Sequence, residues 1–248
     1  MAYRYAIYWA PPRGHPLWRA GCAWLGRDPE TSEEIVPEPE PIASPATHAS
    51  LTADARRYGW HATLKAPFRL AANATEGAFD AAVAAFAAAC RPFPAPPLAV
   101  ASLAGFLAVV PAEPCPELDA LANHAVRELD HFRAPPTEDE VAKRRRAGLT
   151  PRQEQLLASW GYPYVMEEWR FHMTLTGRLP PDQIDPLRLA LAERFAPALA
   201  TPLVIAEIAL YVEPEAGAPF RLLRRYPFAA PHVRGGWSDA SACPRPSR

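Results

Sequence analysis

Two short stretches of this chain repeat one pattern of chemically active residues. The first reads Trp60-His61-Ala62-Thr63-Leu64 and the second Phe171-His172-Met173-Thr174-Leu175, so each is aromatic-His-x-Thr-Leu. Apolar and polar residues alternate in both, the period of a β-strand whose successive side chains point to opposite faces. Trp60, Ala62 and Leu64 are expected to face a core, with His61, Thr63 and Lys65 on the other side. In the second copy Phe171, Met173 and Leu175 go inward, and Arg170, His172, Thr174 and Thr176 share the opposite face. Two strands that each offer an imidazole beside a hydroxyl can make a symmetric site for one anionic group. Cleavage of a phosphodiester suits such a pair. In-line attack needs a base and an acid on opposite sides of phosphorus, and imidazole, with a pKa of about 6.5, can serve as either. The Thr hydroxyls would donate to the non-bridging oxygens, where negative charge builds up. Lys65 and Arg170 are candidate phosphate ligands, each equally well read as a solvated residue at a strand end. Tyr211 is a candidate for stacking on substrate. His15, His48, His124, His131 and His232 lack a partner pattern and read as surface residues.

The elements that must position these residues follow from patterning. Tyr3 to Trp9 reads as a strand, Leu17 to Leu25 as a helix ended by Gly26, and residues 28 to 50 as an acidic, Pro-rich loop. A short helix from Ala53 to Tyr58 precedes the first motif strand. An Ala-rich helix (Ala78 to Ala89), a hairpin of Leu98 to Leu103 and Phe106 to Val110, and a helical stripe from Leu118 to Phe132 follow it. After the second motif strand (169 to 176) come a helix from Leu187 to Phe195 and strands at 203 to 212 and 220 to 226. Each half thus reads motif strand, helix, strand, strand, an internal duplication with a pseudo-two-fold relation between the motifs. The expected layout is one bilobal domain over residues 1–230, with an N-terminal lobe over 1–132, a helical insertion over 137–160 and a C-terminal lobe over 161–230. Residues 231–248 read as a disordered tail.

The insertion holds two capping boxes, Thr137-Glu138-Asp139-Glu140 and Thr150-Pro151-Arg152-Gln153, the second with Pro at the first helical position. Two helices with a short turn beside Lys143-Arg144-Arg145-Arg146 also fit a helix-turn-helix. A basic run at a helix C-terminus is explained by the helix dipole and solvent, so a lid or buttress over the site is the better expectation.

Composition excludes several classes. A net charge of −1 gives no general case for tracking long nucleic acid. The four cysteines (Cys22, Cys90, Cys115, Cys243) are scattered without CxxC spacing, so neither a zinc site nor a disulfide framework is indicated. No signal peptide and no run of membrane-spanning length is read. A cytoplasmic monomer without DNA or membrane partners is expected.

The paired His61-x-Thr63 and His172-x-Thr174 resemble the two-histidine (2H) phosphoesterase superfamily, which includes RNA ligase-like and cyclic phosphodiesterase enzymes. The strings Arg57-Tyr58-Gly59-Trp60-His61-Ala62-Thr63-Leu64-Lys65-Ala66-Pro67-Phe68 and Glu167-Glu168-Trp169-Arg170-Phe171-His172-Met173-Thr174-Leu175-Thr176-Gly177 look like one bacterial branch, commonly associated with phosphonate-utilisation gene clusters. The resemblance implies a bilobal α+β fold with two antiparallel sheets flanking a cleft and a metal-independent site needing no cofactor. It also implies His61 and His172 as the acid/base pair and Thr63 and Thr174 as phosphate-binding hydroxyls. The implied substrate is the cyclic phosphodiester of a small ribose or nucleotide phosphate. An RNA-end 2′,3′-cyclic phosphodiesterase, an RNA 2′-5′ ligase-like activity on a short RNA end, and a non-catalytic nucleotide- or phosphate-binding protein are the alternatives.

Overall fold

The computed structural model describes residues 3–36, 44–146 and 148–229; the tail expected at 231–248 lies outside them. Along the chain run β1 (Arg4–Trp9), α1 (Pro16–Leu25), α2 (Pro45–Tyr58), β2 (Ala62–Phe68), α3 (Glu76–Ala89), β3 (Phe93–Pro94), β4 (Leu98–Leu103), β5 (Phe106–Pro111) and α4 (Pro116–Leu129). Then follow α5 (Glu138–Arg145), α6 (Pro151–Trp160), β6 (Met173–Arg178), α7 (Pro181–Leu199), β7 (Val204–Ile205), β8 (Glu207–Glu213) and β9 (Arg221–Pro227). The fold is α+β, as the resemblance implied. Seven antiparallel strands form one sheet in the order β4-β5-β6-β2-β1-β8-β9, and β3 pairs separately with β7.

The sheet is thinly joined at its middle. β2 meets β6 through the single pair Ala62↔Met173. Each strand begins at or beside that pair, and because they are antiparallel they run away from it in opposite directions. Two lobes result, β4-β5-β6 on one side and β2-β1-β8-β9 on the other. They do not divide the chain near residue 132, as expected from the repeat. The hairpin β4–β5, which follows the first motif, pairs with β6, and the hairpin β8–β9, which follows the second, pairs with β1 beside β2. Each hairpin extends the other motif's lobe, so the lobes interleave.

Local signals explain most boundaries. α2 begins at Pro45, inside the segment expected to be a loop, because the Ser44 side chain accepts from Thr47 N and Pro45 takes the first helical position, where its missing N–H costs nothing. β4 and β5 join through Ala104 and Gly105, both at positive φ (49° and 87°), the geometry of a two-residue hairpin turn whose twist matches its strands. Both expected capping boxes are present. The insertion is a buttress by its contacts: Leu156 of α6 packs with Val126 of α4 and with Val165. Its basic run is partly satisfied within the molecule, Arg145 pairing with Glu154 at 2.9 Å and the Arg144 guanidinium lying 4.7 Å over the Tyr162 ring. Among the described residues no helix is long and apolar enough to cross a membrane.

The core reaches directly under the first motif. Trp60, immediately before His61, is fully buried, and its indole fills the space above Gly21 of α1, where an added Cβ would meet ring atoms at 2.2 Å. Gly21→Ala is therefore expected to destabilise the protein by about 1–3 kcal/mol through overpacking, measured by urea unfolding. An unchanged unfolding midpoint would contradict this packing.

Candidate active site

Both motif histidines sit one residue before their strands, at the joint between the lobes. The pair Ala62↔Met173 fixes their relation. One step along the antiparallel register in each direction sets His61 opposite Thr174 and Thr63 opposite His172. All four then lie on one face, the near-two-fold arrangement that the repeat predicts. All four are half-buried. A second tie spans the joint: Trp169, just ahead of the second motif, donates its indole N–H to the Thr63 carbonyl at 2.7 Å.

The two imidazoles are held alike. His61 Nδ1 lies 2.8 Å from the Gly59 carbonyl, and His172 Nδ1 lies 2.8 Å from the Arg170 carbonyl. A carbonyl can only accept, so each Nδ1 carries the proton and each neutral ring presents Nε2 as a base. Thr63 Oγ1 lies 3.3 Å from His61 Nε2. The His61 ring stacks on Tyr8 with centroids 3.7 Å apart and planes 20° apart, while Phe106 meets His172 edge-on at 5.7 Å. Burial lowers the His61 pKa to about 4; the bond to Gly59 opposes this and the charge of His172 adds to it. Burial also lowers the His172 pKa, against the bond to Arg170. Burial thus favours the neutral form of both rings.

The other candidates lie elsewhere. Lys65 does not join His61 and Thr63. β1 pairs Tyr8↔Thr63 and then Ile7↔Lys65, so a bulge at Leu64 turns Lys65 to the opposite face. There its ammonium is buried, 2.8 Å from Asp130 and 3.3 Å from the Val126 carbonyl of α4. Tyr211 is fully buried, not a stacking surface. Its hydroxyl donates to the Trp60 carbonyl at 3.2 Å, and its ring backs Tyr8 at 4.9 Å. Arg170 is exposed and donates through one nitrogen to the carbonyls of Glu167 and Trp169. Thr176 is buried, accepting from Leu107 N and donating to the Gly177 carbonyl. His48, expected at the surface, is buried edge-on to Trp24 at 4.5 Å. Sequence reasoning missed Tyr8 and Trp169. The one available signal was aromatic density, Tyr8-Trp9 in the first strand and Trp169 two residues before Phe171.

The family model described as "Protein of unknown function (DUF1045)" matches residues 63–221, and the chain belongs to that family. Two curated proteins named "Ribose 1,5-bisphosphate phosphokinase PhnN" are similar to it. The one from Janthinobacterium sp. (strain Marseille) is 44% identical over 91% of this chain and 51% of its own length. The one from Laribacter hongkongensis (strain HLHK9) is 42% identical over 89% and 51%. The chain spans about half the length of these relatives. Among solved structures it is distantly similar to E. coli LigT complexed with 3′-AMP, at 13% identity over 92% of this chain and 99% of that one, with a TM-score of 0.42. The crystal structure of a phosphoesterase matches at 12% identity over 92% of this chain and 99% of that one, with a TM-score of 0.41.

Two outcomes follow from the geometry. Trp169→Phe keeps the ring but removes the N–H, and is expected to cost about 1–3 kcal/mol in urea unfolding; a change below about 0.5 kcal/mol would contradict a tie across the joint. A histidine in an unfolded chain titrates near 6.5 and folded His61 near 4. Between those values the unfolded chain binds more protons, so stability falls as pH drops from about 6.5 towards 4. The urea midpoint should decline over that window less steeply in His61→Ala than in the native protein. Identical pH dependences would contradict the burial of a neutral imidazole.

Proposed function

We propose that the protein is a phosphoesterase that opens a cyclic phosphodiester of a small ribose or nucleotide phosphate by His61/His172 acid–base catalysis, without a metal. The observation that carries this reading is the matched pair of imidazoles, each with Nδ1–H tied to the carbonyl two residues back and Nε2 left for chemistry, on either side of one ladder pair. An anionic phosphate entering between them raises the pKa of both rings, and one takes up a proton. The neutral imidazole then accepts a proton from the attacking water as its oxygen bonds to phosphorus. The imidazolium gives its Nε2 proton to the ring oxygen as the P–O bond breaks, leaving a phosphomonoester and a hydroxyl. Thr63 and Thr174 donate to the non-bridging oxygens.

A phosphorylated ribose is supported by the names of the curated relatives, which act on ribose 1,5-bisphosphate. It also agrees with the phosphonate-linked branch that the motif strings resemble. The phosphokinase in those names finds no support in this stretch. Lys65 and Lys143 follow Leu64 and Ala142, so the chain has no Gly-Lys of the loop that cradles nucleotide phosphates.

A panel of nucleoside 2′,3′-cyclic phosphates, ribose cyclic phosphates and RNA ending in cyclic phosphate, assayed with a chelator present, tests the reading. Turnover of at least one class is expected, with His61→Ala and His172→Ala each slower by roughly 10²- to 10⁴-fold and still folded. Thr63→Ala and Thr174→Ala should each lose about 1.5–3 kcal/mol of transition-state stabilisation. Turnover that survives both His substitutions would overturn the mechanism.

A further inference from the structure

Among the described residues four tyrosines are buried, Tyr5, Tyr8, Tyr211 and Tyr226. Three of them bond their hydroxyls within the molecule: Tyr5 to Glu76, Tyr226 to Asp80, and Tyr211 to the Trp60 carbonyl. The Tyr8 hydroxyl has no hydrogen-bond partner among the described residues. A buried phenol ordinarily finds one, because an unpaired hydroxyl held away from water costs free energy. Tyr8 is 1% exposed, and its oxygen is not one of the sealed polar atoms that lack a partner. The trace of surface that Tyr8 keeps is therefore at its hydroxyl.

That opening lies beside the first motif. Tyr8 of β1 pairs with Thr63 of β2, so the two side chains share a face. The Tyr8 ring stacks on His61 with centroids 3.7 Å apart, which keeps its oxygen within roughly 6 Å of His61 Nε2 whichever way the ring points. Thr63 Oγ1 stands 3.3 Å from the same nitrogen. We infer that the Tyr8 hydroxyl is a further phosphate ligand of this site, donating to a non-bridging oxygen beside Thr63. The inference rests on the reading of the site as one for a phosphate. One tetrahedral phosphate reaches both the imidazole and the phenol, since its oxygens point to different corners and each accepts at about 2.5–3.0 Å. A wall behind His61 requires only the ring. Phenylalanine would stack as well and bury no unpaired oxygen, so the hydroxyl calls for a ligand. Burial pushes the Tyr8 phenol well above its usual value, and the nearby phenols of Tyr58, Tyr162 and Tyr211 push the same way. It keeps its proton where the histidines titrate, and serves as a donor and not as a base.

Tyr8→Phe in the full chain separates the hydroxyl from the ring. Calorimetry with inorganic phosphate should show binding weaker than native by roughly tenfold to a hundredfold, the loss that one hydrogen bond to a charged group gives. The urea midpoint should not fall, and the ligand-free His61 ring resonances should stay in place, because the stack is kept. Equal phosphate binding by the two proteins, or none by the native protein, would overturn the inference. Weaker binding that comes with a lower midpoint and displaced His61 resonances would overturn it too, and make Tyr8 a positioning residue only. Turnover of the cyclic phosphate panel tells this failure from that of the proposed reaction. Phosphate binding that needs the Tyr8 hydroxyl, without turnover of any cyclic phosphate, upholds the ligand and removes the reaction. Turnover and phosphate binding that Tyr8→Phe leaves unchanged remove the ligand and keep the reaction.

Discussion

The site depends on one backbone pair. Ala62↔Met173 is where β2 and β6 touch before they run apart, and the residues on either side of it are the two His-x-Thr motifs. Antiparallel pairing at a single point has a consequence that a long shared ladder would not have. It brings the beginnings of two strands together and leaves their far ends to build separate lobes. Side chains next to the joint therefore converge on one place while belonging to different lobes. So little direct pairing must be supported from outside. The Trp169 indole bonded to the Thr63 carbonyl supplies part of that support. The ring contact of Trp9 with Phe171, 5.6 Å between centroids, supplies more, beneath the two motifs.

The same surroundings set the electrostatics. Each imidazole is packed against an aromatic ring, Tyr8 or Phe106, and each gives its Nδ1 proton to a main-chain carbonyl. Burial favours the neutral form, and two such rings close together disfavour charging both. An anion between them reverses the balance, because its field favours the protonated ring. Under the proposed reaction, the site would be most receptive to a proton when a phosphate is present, which is when an acid is needed. Tyr211 and Trp60 serve this arrangement from below, Tyr211 holding the Trp60 carbonyl and backing the ring on which His61 stacks.

Much of this was legible in the sequence, and for identifiable reasons. Period-two alternation placed Trp60, Ala62, Leu64, Phe171, Met173 and Leu175 in the core, where all six are found. The capping boxes at Thr137 and Thr150 are local chemistry and formed where they were read. The α+β class came with the resemblance that the paired motifs carry. What failed was non-local. Strand partners are not written in periodicity, so the exchange of hairpins between the lobes could not be seen. A single bulge at Leu64 moved Lys65 from the His61 face into an ion pair with Asp130, and alternation has no mark for such an extra residue. Tyr211 was taken for a substrate-stacking group because an aromatic on a strand suits either face. Its hydroxyl found a buried carbonyl instead. Trp169 was missed because its role comes from an indole N–H reaching across the joint, 106 residues away in sequence.

The central claim is that one phosphate engages both imidazoles. Titration of the His61 and His172 ring resonances by NMR, with and without saturating inorganic phosphate, tests it most directly, single His→Ala variants providing the assignments. Without phosphate both pKa values should lie below 6.5, with His61 the lower. With phosphate both should rise, and removing either histidine should weaken phosphate binding. A rise in one ring only, or in neither, would contradict a shared site at the Ala62–Met173 joint.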